Sequence, residues 1–161
     1  MKRTVILLLS IVCIGLSTQA TWSQELVTAD HVVAAVNQLD LHSVRKLLKQ
    51  NPQAVNQFGS DGESPLTACI LTRTNTAHPD AQLECILFLL SQGADPNLRV
   101  GDIAPLELAM LIDVEIVRLL LEAGADPTDQ SEDGLTPLDT ANSLKSKTAD
   151  EVRALLLNAS R

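Results

Sequence analysis

His31, His42 and His78 are the first residues in this 161-residue chain that could do chemistry, and their spacing argues against it. A metal site needs three or four converging ligands, and no histidine here has a second histidine or a cysteine at ligand spacing. Serine and aspartate are plentiful, yet no Gly-x-Ser-x-Gly elbow presents a nucleophile. No glycine-rich loop of either common spacing is there to cradle a phosphate. Asp95, Asp126 and Asp133 recur because turns favour aspartate, and reading them as paired catalytic carboxylates would mistake punctuation for a site. These residue types point away from an enzyme, a metal, a cofactor and a small-molecule substrate. What is left to explain is the surface.

Charge narrows the partners. The chain has 12 basic and 20 acidic residues, a formal net charge of −8. Residues 1–20 have the layout of a secretory signal peptide: Lys2 and Arg3, an apolar run from Val5 to Leu16, and small residues up to a cleavage point after Ala20. The apolar run is short of the roughly 20 residues that cross a bilayer. Cys13 suggests a lipid anchor, but Ile11 and Val12 stand where small residues would be expected. Removing the leader takes away two of the 12 basic residues and none of the 20 acidic ones, which moves the charge to −10. That balance opposes nucleic acid and anionic lipid, both of which depend on cationic contacts. It permits a basic protein partner. Trp22, Phe58 and Phe88 are the whole aromatic set, too few for a base-stacking platform. The expectation is an exported protein, periplasmic or else secreted, with no membrane contact after its leader is gone.

The elements that carry this surface repeat. Gly93-Ala94-Asp95-Pro96-Asn97 and Gly124-Ala125-Asp126-Pro127-Thr128 lie 31 residues apart, each after a leucine-rich run. A period near 30 is the signature of stacked repeats. Three units open at Asp61-Gly62-Glu63-Ser64-Pro65-Leu66, Gly101-Asp102-Ile103-Ala104-Pro105-Leu106 and Asp133-Gly134-Leu135-Thr136-Pro137-Leu138. Proline fits the first helical position because its missing N–H would have no helical partner, and a preceding serine or threonine can cap the helix. The spacing predicts short helices over 66–71, 106–112 and 138–144. A second helix follows each, marked by Cys85/Phe88/Leu89, Ile116/Leu119/Leu120 and Val152/Leu155/Leu156 at i, i+3, i+4. Val44/Leu47/Leu48 repeats the stripe upstream and reveals a degenerate first unit. Gly93 and Gly124 stop their helices, glycine being at ease in the left-handed conformation of a helix end.

The Gly-x-Ser-Pro-Leu of 62–66, the Gly-Leu-Thr-Pro-Leu of 134–138, the run from Glu115 to Leu121 and the two Gly-Ala-Asp-Pro turns resemble the ankyrin repeat. The resemblance implies an all-α solenoid of helix-turn-helix units with short hairpin loops, its fingers and first helices forming a concave binding face. It covers residues 29–160 as four units: 29–57 (a cap), 58–97, 98–128 and 129–160 (a cap), preceded by a flexible segment at 21–28. The chain also departs from the family pattern. Thr67, Glu107 and Asp139 stand where a histidine is usual. Asp102 and Ala104 replace a glycine and a threonine, which predicts a looser third turn lacking one hydroxyl. Pro65 to Pro105 is 40 residues against 32 for Pro105 to Pro137, and the excess of about eight is placed in a polar loop, Arg73 to Asp80. That loop is either a second contact point or tolerated surface variation.

On this layout Cys69 and Cys85 face each other from the paired helices of the second unit. In an oxidising compartment they would close a disulfide; alternatively both are small buried core residues. The partner-facing positions of the family fall on Asp61, Glu63, Val100, Ile103, Leu111, Glu132, Asp133 and Leu135: an apolar centre flanked by acids, as interfaces commonly have an apolar core and a polar rim. Leu111 could instead pack between repeats. The expected function is a non-enzymatic interaction module binding another protein, with a basic or mixed patch, through the concave face. The alternative is an inhibitor, immunity factor or accessory protein for a periplasmic or secreted enzyme.

Overall fold

The computed structural model describes residues 26–72, 79–144 and 147–160, so the expected leader at 1–20, with residues 21–25, and most of the polar loop lie outside the described residues. Within them the chain is all-α. Eight α-helices follow one another: α1 (Ala29–Asn37), α2 (Leu41–Gln50), α3 (Pro65–Leu71), α4 (Pro79–Ser91), α5 (Pro105–Met110), α6 (Val114–Glu122), α7 (Pro137–Ser143) and α8 (Lys147–Ala159). A 3-10 turn, Pro52–Asn56, follows α2. None of the described helices is long and apolar enough to cross a membrane.

The helices pack in pairs that are adjacent in the chain: α1 with α2, α3 with α4, α5 with α6 and α7 with α8. Pairs then join along two rows, α1 to α3 to α5 to α7 on one side and α4 to α6 to α8 on the other. The reason is visible in the stripes. In all four triplets the first and third members (Val44 and Leu48, Cys85 and Leu89, Ile116 and Leu120, Val152 and Leu156) are buried, and the middle one packs against them half-buried. Each fully buried valine, leucine or isoleucine contributes about 1.5–3 kcal/mol, and no single pair of helices could shelter its own stripe.

The helix ends are closed locally. After α4 and α6, Gly93 and Gly124 take φ of 88° and 94°, and the next residues, Ala94 and Ala125, donate back to the carbonyls of Leu89 and Leu120. This Schellman geometry satisfies carbonyls the helix leaves open. Leu39 does the same work after α1 at φ 52°, a rare posture for a leucine.

At the starts of α3 and α7, Ser64 and Thr136 accept from the backbone N–H of Thr67 and Asp139, and both form capping boxes. Thr67 and Asp139 therefore each help to close a helix start. The α5 helix has Ala104 at its cap and no side-chain hydrogen bond there. Glu107 already occupies the third helical position, so Ala104→Ser would complete a capping box. We expect Ala104→Ser to stabilise the chain by about 1 kcal/mol, read as a higher urea midpoint at unchanged slope.

Three expectations need correction. Pro79 and Asp80 do not belong to the loop; they open α4, where proline's fixed φ suits the first turn and an acidic residue faces the positive helix end. The turn of the third unit, ahead of α5, is tighter than its neighbours, not looser. It is one residue shorter, and Gly101 at φ 58° lets Val100 and Ile103 pair both ways, at 3.0 and 3.2 Å. Finally, the segment before α1 is anchored at its end: Val27 is buried, and its carbonyl accepts from Asn51 Nδ2 at 2.7 Å.

Candidate functional site

Three hairpin loops stand ahead of α3, α5 and α7, and they carry most of the candidate residues. In the first, Gly59 N–H donates to Glu63 O and Gly62 N–H to Gly59 O; in the third, Ser131 and Gly134 repeat the pattern with Leu135 O and Ser131 O. Asp61 thus sits at the tip of one loop, and Glu132 and Asp133 at the tip of another, all exposed. Glu63 and Val100 are half-buried. Ile103 is 47% exposed, Leu135 49% and Leu111 67%, with Ile112 beside it at 47%. Packing between repeats therefore does not account for Leu111. It caps the far end of α5, about 9 Å of helix from the Val100–Ile103 turn.

The loops are tied to one another. Arg99, at the base of the middle loop, donates to Asp129 at 2.5 Å in the stretch leading to the third, and also to the carbonyl of Asp102. At the roots, Asn56 bridges forward by 37 to 39 residues: its Nδ2 donates to Gly93 O at 2.8 Å and its Oδ1 accepts from Asp95 N–H at 2.8 Å. Asn97 repeats this on the next turn, donating to Gly124 O at 3.0 Å and accepting from Asp126 N–H at 2.8 Å. The two asparagines sit at equivalent places in the sequence, a signal that was there to be read.

Residues weighed for chemistry are occupied with local structure. His31 Nδ1 accepts from Thr28 N–H at 3.1 Å at the start of α1, and His42 is exposed on α2; His78 lies outside the described residues. Among the described residues no three of His, Cys, Asp and Glu gather as metal ligands. Cys69 and Cys85 are free thiols, both fully buried, and Cys69 Sγ lies 3.8 Å from Gln82 O. The hydrogen bond between the two sulfurs, followed by burial, pushes the Cys69 thiol well above its ordinary value. Both sulfurs are enclosed in the core between α3 and α4.

Four carboxylates are held below their ordinary value of 3.8 by hydrogen bonds, three of them from donors in their own turns and Asp30 from the hairpin loop ahead of α3. The cause is foremost the backbone N–H of Ser60 for Asp30, and the side-chain hydroxyls of Ser43, Thr128 and Thr136 for Asp40, Asp126 and Asp139. Each native carboxylate binds its proton more weakly than the unfolded one. The stabilisation is therefore complete above 3.8 and is lost as pH falls through the lower native values. We expect the urea midpoint to hold between about pH 7 and 5 and to drop below about 4, with Asp139→Asn showing a shallower acid fall.

Family models searched against the chain give no match, and curated proteins give none either. The functional reading therefore rests on the residues themselves.

Proposed function

We propose that this chain is a non-enzymatic ankyrin-repeat module that is exported and grips another protein through its hairpin loops and first helices. The observation that carries the reading is the set of large apolar side chains left in solvent on consecutive loops and helix ends: Ile103, Leu111, Ile112 and Leu135, flanked by exposed Asp61, Glu132 and Asp133. Apolar side chains that a fold could bury and does not, when rimmed by charge, suit a protein interface. The two helix rows in contact along the chain support the solenoid arrangement, and the leader-like residues 1–20 support export. A surface tied by Arg99, Asn56 and Asn97 before contact loses less freedom on binding. Its acidic rim suits a basic or mixed patch on the partner.

The test is affinity capture from the exported fraction with the wild-type chain and with Ile103→Asp, Leu111→Asp and Asp133→Lys. A partner held by the wild type should bind roughly 30-fold more weakly to a variant at a central contact, with melting temperatures unchanged. Equal recovery on all three variants would remove the binding face from the loops.

A further inference from the structure

The cations of this acidic chain are unevenly engaged. Arg99, Arg118 and Arg153 each sit in an ion pair, with Asp129, Glu115 and Asp150. Among the described side chains, the basic ones left without a carboxylate partner are Arg45, Lys46 and Lys49, and all three lie on α2. Arg45 and Lys49 stand at i and i+4, so they share one face of the helix.

Beside that face, between α2 and α4, runs an open groove of about 500 Å³ lined by Arg45, Leu48, Lys49, Pro52, Phe88 and Gln92. No carboxylate lines it. Leu48 and Phe88 give it an apolar floor, while Arg45 and Lys49 are exposed and make its rim positive. The Arg45 guanidinium lies 4.2 Å from the centre of the Phe88 ring. A guanidinium steadied on an aromatic face keeps its donors and has less freedom to lose when it meets a carboxylate.

We propose that this groove is a second binding site, separate from the hairpin loops, for an acidic peptide segment that carries an apolar side chain. The apolar group lies against Leu48, Pro52 and Phe88, and neighbouring carboxylates pair with Arg45 and Lys49. An inorganic anion would leave the apolar floor unused. An anionic bilayer is broad enough to meet the chain's 20 acidic residues as well as its cations. A slender peptide meets only the local positive field, since salt screens charges beyond about 8–10 Å.

The experiment is fluorescence anisotropy with the full chain and a labelled peptide, acetyl-Glu-Leu-Glu-Asp-Leu-Glu, beside a companion in which every acid is its amide. Saturable binding of the acidic peptide is expected, weakened by salt and roughly tenfold stronger than that of the companion. The double variant Arg45→Gln/Lys49→Gln should lose roughly tenfold in affinity, and its melting temperature reports that the fold is intact. Phe88→Leu should weaken binding through the loss of the ring, whereas Ile103→Asp and added inorganic phosphate should leave it unchanged. Indifference to Ile103→Asp also separates this result from the fate of the loop interface. The proposal is overturned by equal binding of the amide companion or of the double variant. Sensitivity to Ile103→Asp, or preferential capture of phosphatidylglycerol vesicles through Arg45 and Lys49, would overturn it too.

Discussion

Gln82→Leu should be among the most damaging single substitutions in the chain, lowering stability by about 2–4 kcal/mol and the melting temperature by roughly 10 °C. The side chain is 8% exposed on α4, and its Nε2 donates to three carbonyls of the preceding helix end: Cys69 O at 2.8 Å, Ile70 O at 3.1 Å and Thr72 O at 3.2 Å. The last carbonyls of any helix lack intrahelical donors. At the end of α3 they are met from the partner helix instead of by a glycine turn. Leucine matches the volume and removes both amide protons, so buried acceptors go unmet and each costs about 1–3 kcal/mol. Gln82→Glu should fare no better, because it turns a carboxylate towards carbonyl oxygens. Thermal unfolding by circular dichroism is sufficient to decide; a Gln82→Leu protein within about 1 kcal/mol of wild type would show that the amide is not what closes α3.

The second large effect is expected from removing both asparagine bridges. Asn56→Ala and Asn97→Ala each delete two hydrogen bonds between turns of successive units. At about 0.5–1.5 kcal/mol per bond, partly offset by solvent because these groups are exposed, the pair should cost about 2–4 kcal/mol. The more telling signature is cooperativity. Where helix pairs are coupled through nearest-neighbour contacts, weakening two junctions should broaden the denaturant transition and lower its slope as well as its midpoint. A double variant that unfolds with the wild-type slope and midpoint would show that packing of the apolar stripes alone couples the units.

Much of this organisation could be read from residue order. Pro65, Pro105 and Pro137 mark helix starts within one residue, and Gly93 and Gly124 mark ends, because both residue types act through their own backbone. The i, i+3, i+4 triplets located the buried stripes for the same reason: helical periodicity is a local property. What escaped depends on distant partners. Gln82 reads as one more polar residue near a helix start, and only the return of α4 along α3 brings it under three carbonyls. At the middle loop length outweighs the identity of Asp102: Asn97 to Pro105 spans one residue fewer than Asn56 to Pro65. With the loop shortened, Gly101 takes the left-handed position and the turn closes.

Of the candidate interface, Ile103, Leu111 and Leu135 are exposed, since hairpin tips and helix ends seldom find a neighbour. The groove between α2 and α4 was not foreseen. Nothing in the order of residues brings Phe88 up to Arg45, 43 positions earlier.

Thr128 occupies the place that Asn56 and Asn97 hold in earlier units, but both its N–H and its hydroxyl turn back to Asp126. It has no amide to extend, so the run of asparagine bridges from turn to turn stops at Asp126. The last pair of helices joins the row through packing, without the asparagine bridge of its neighbours. Fraying on heating is therefore expected to begin at α7 and α8.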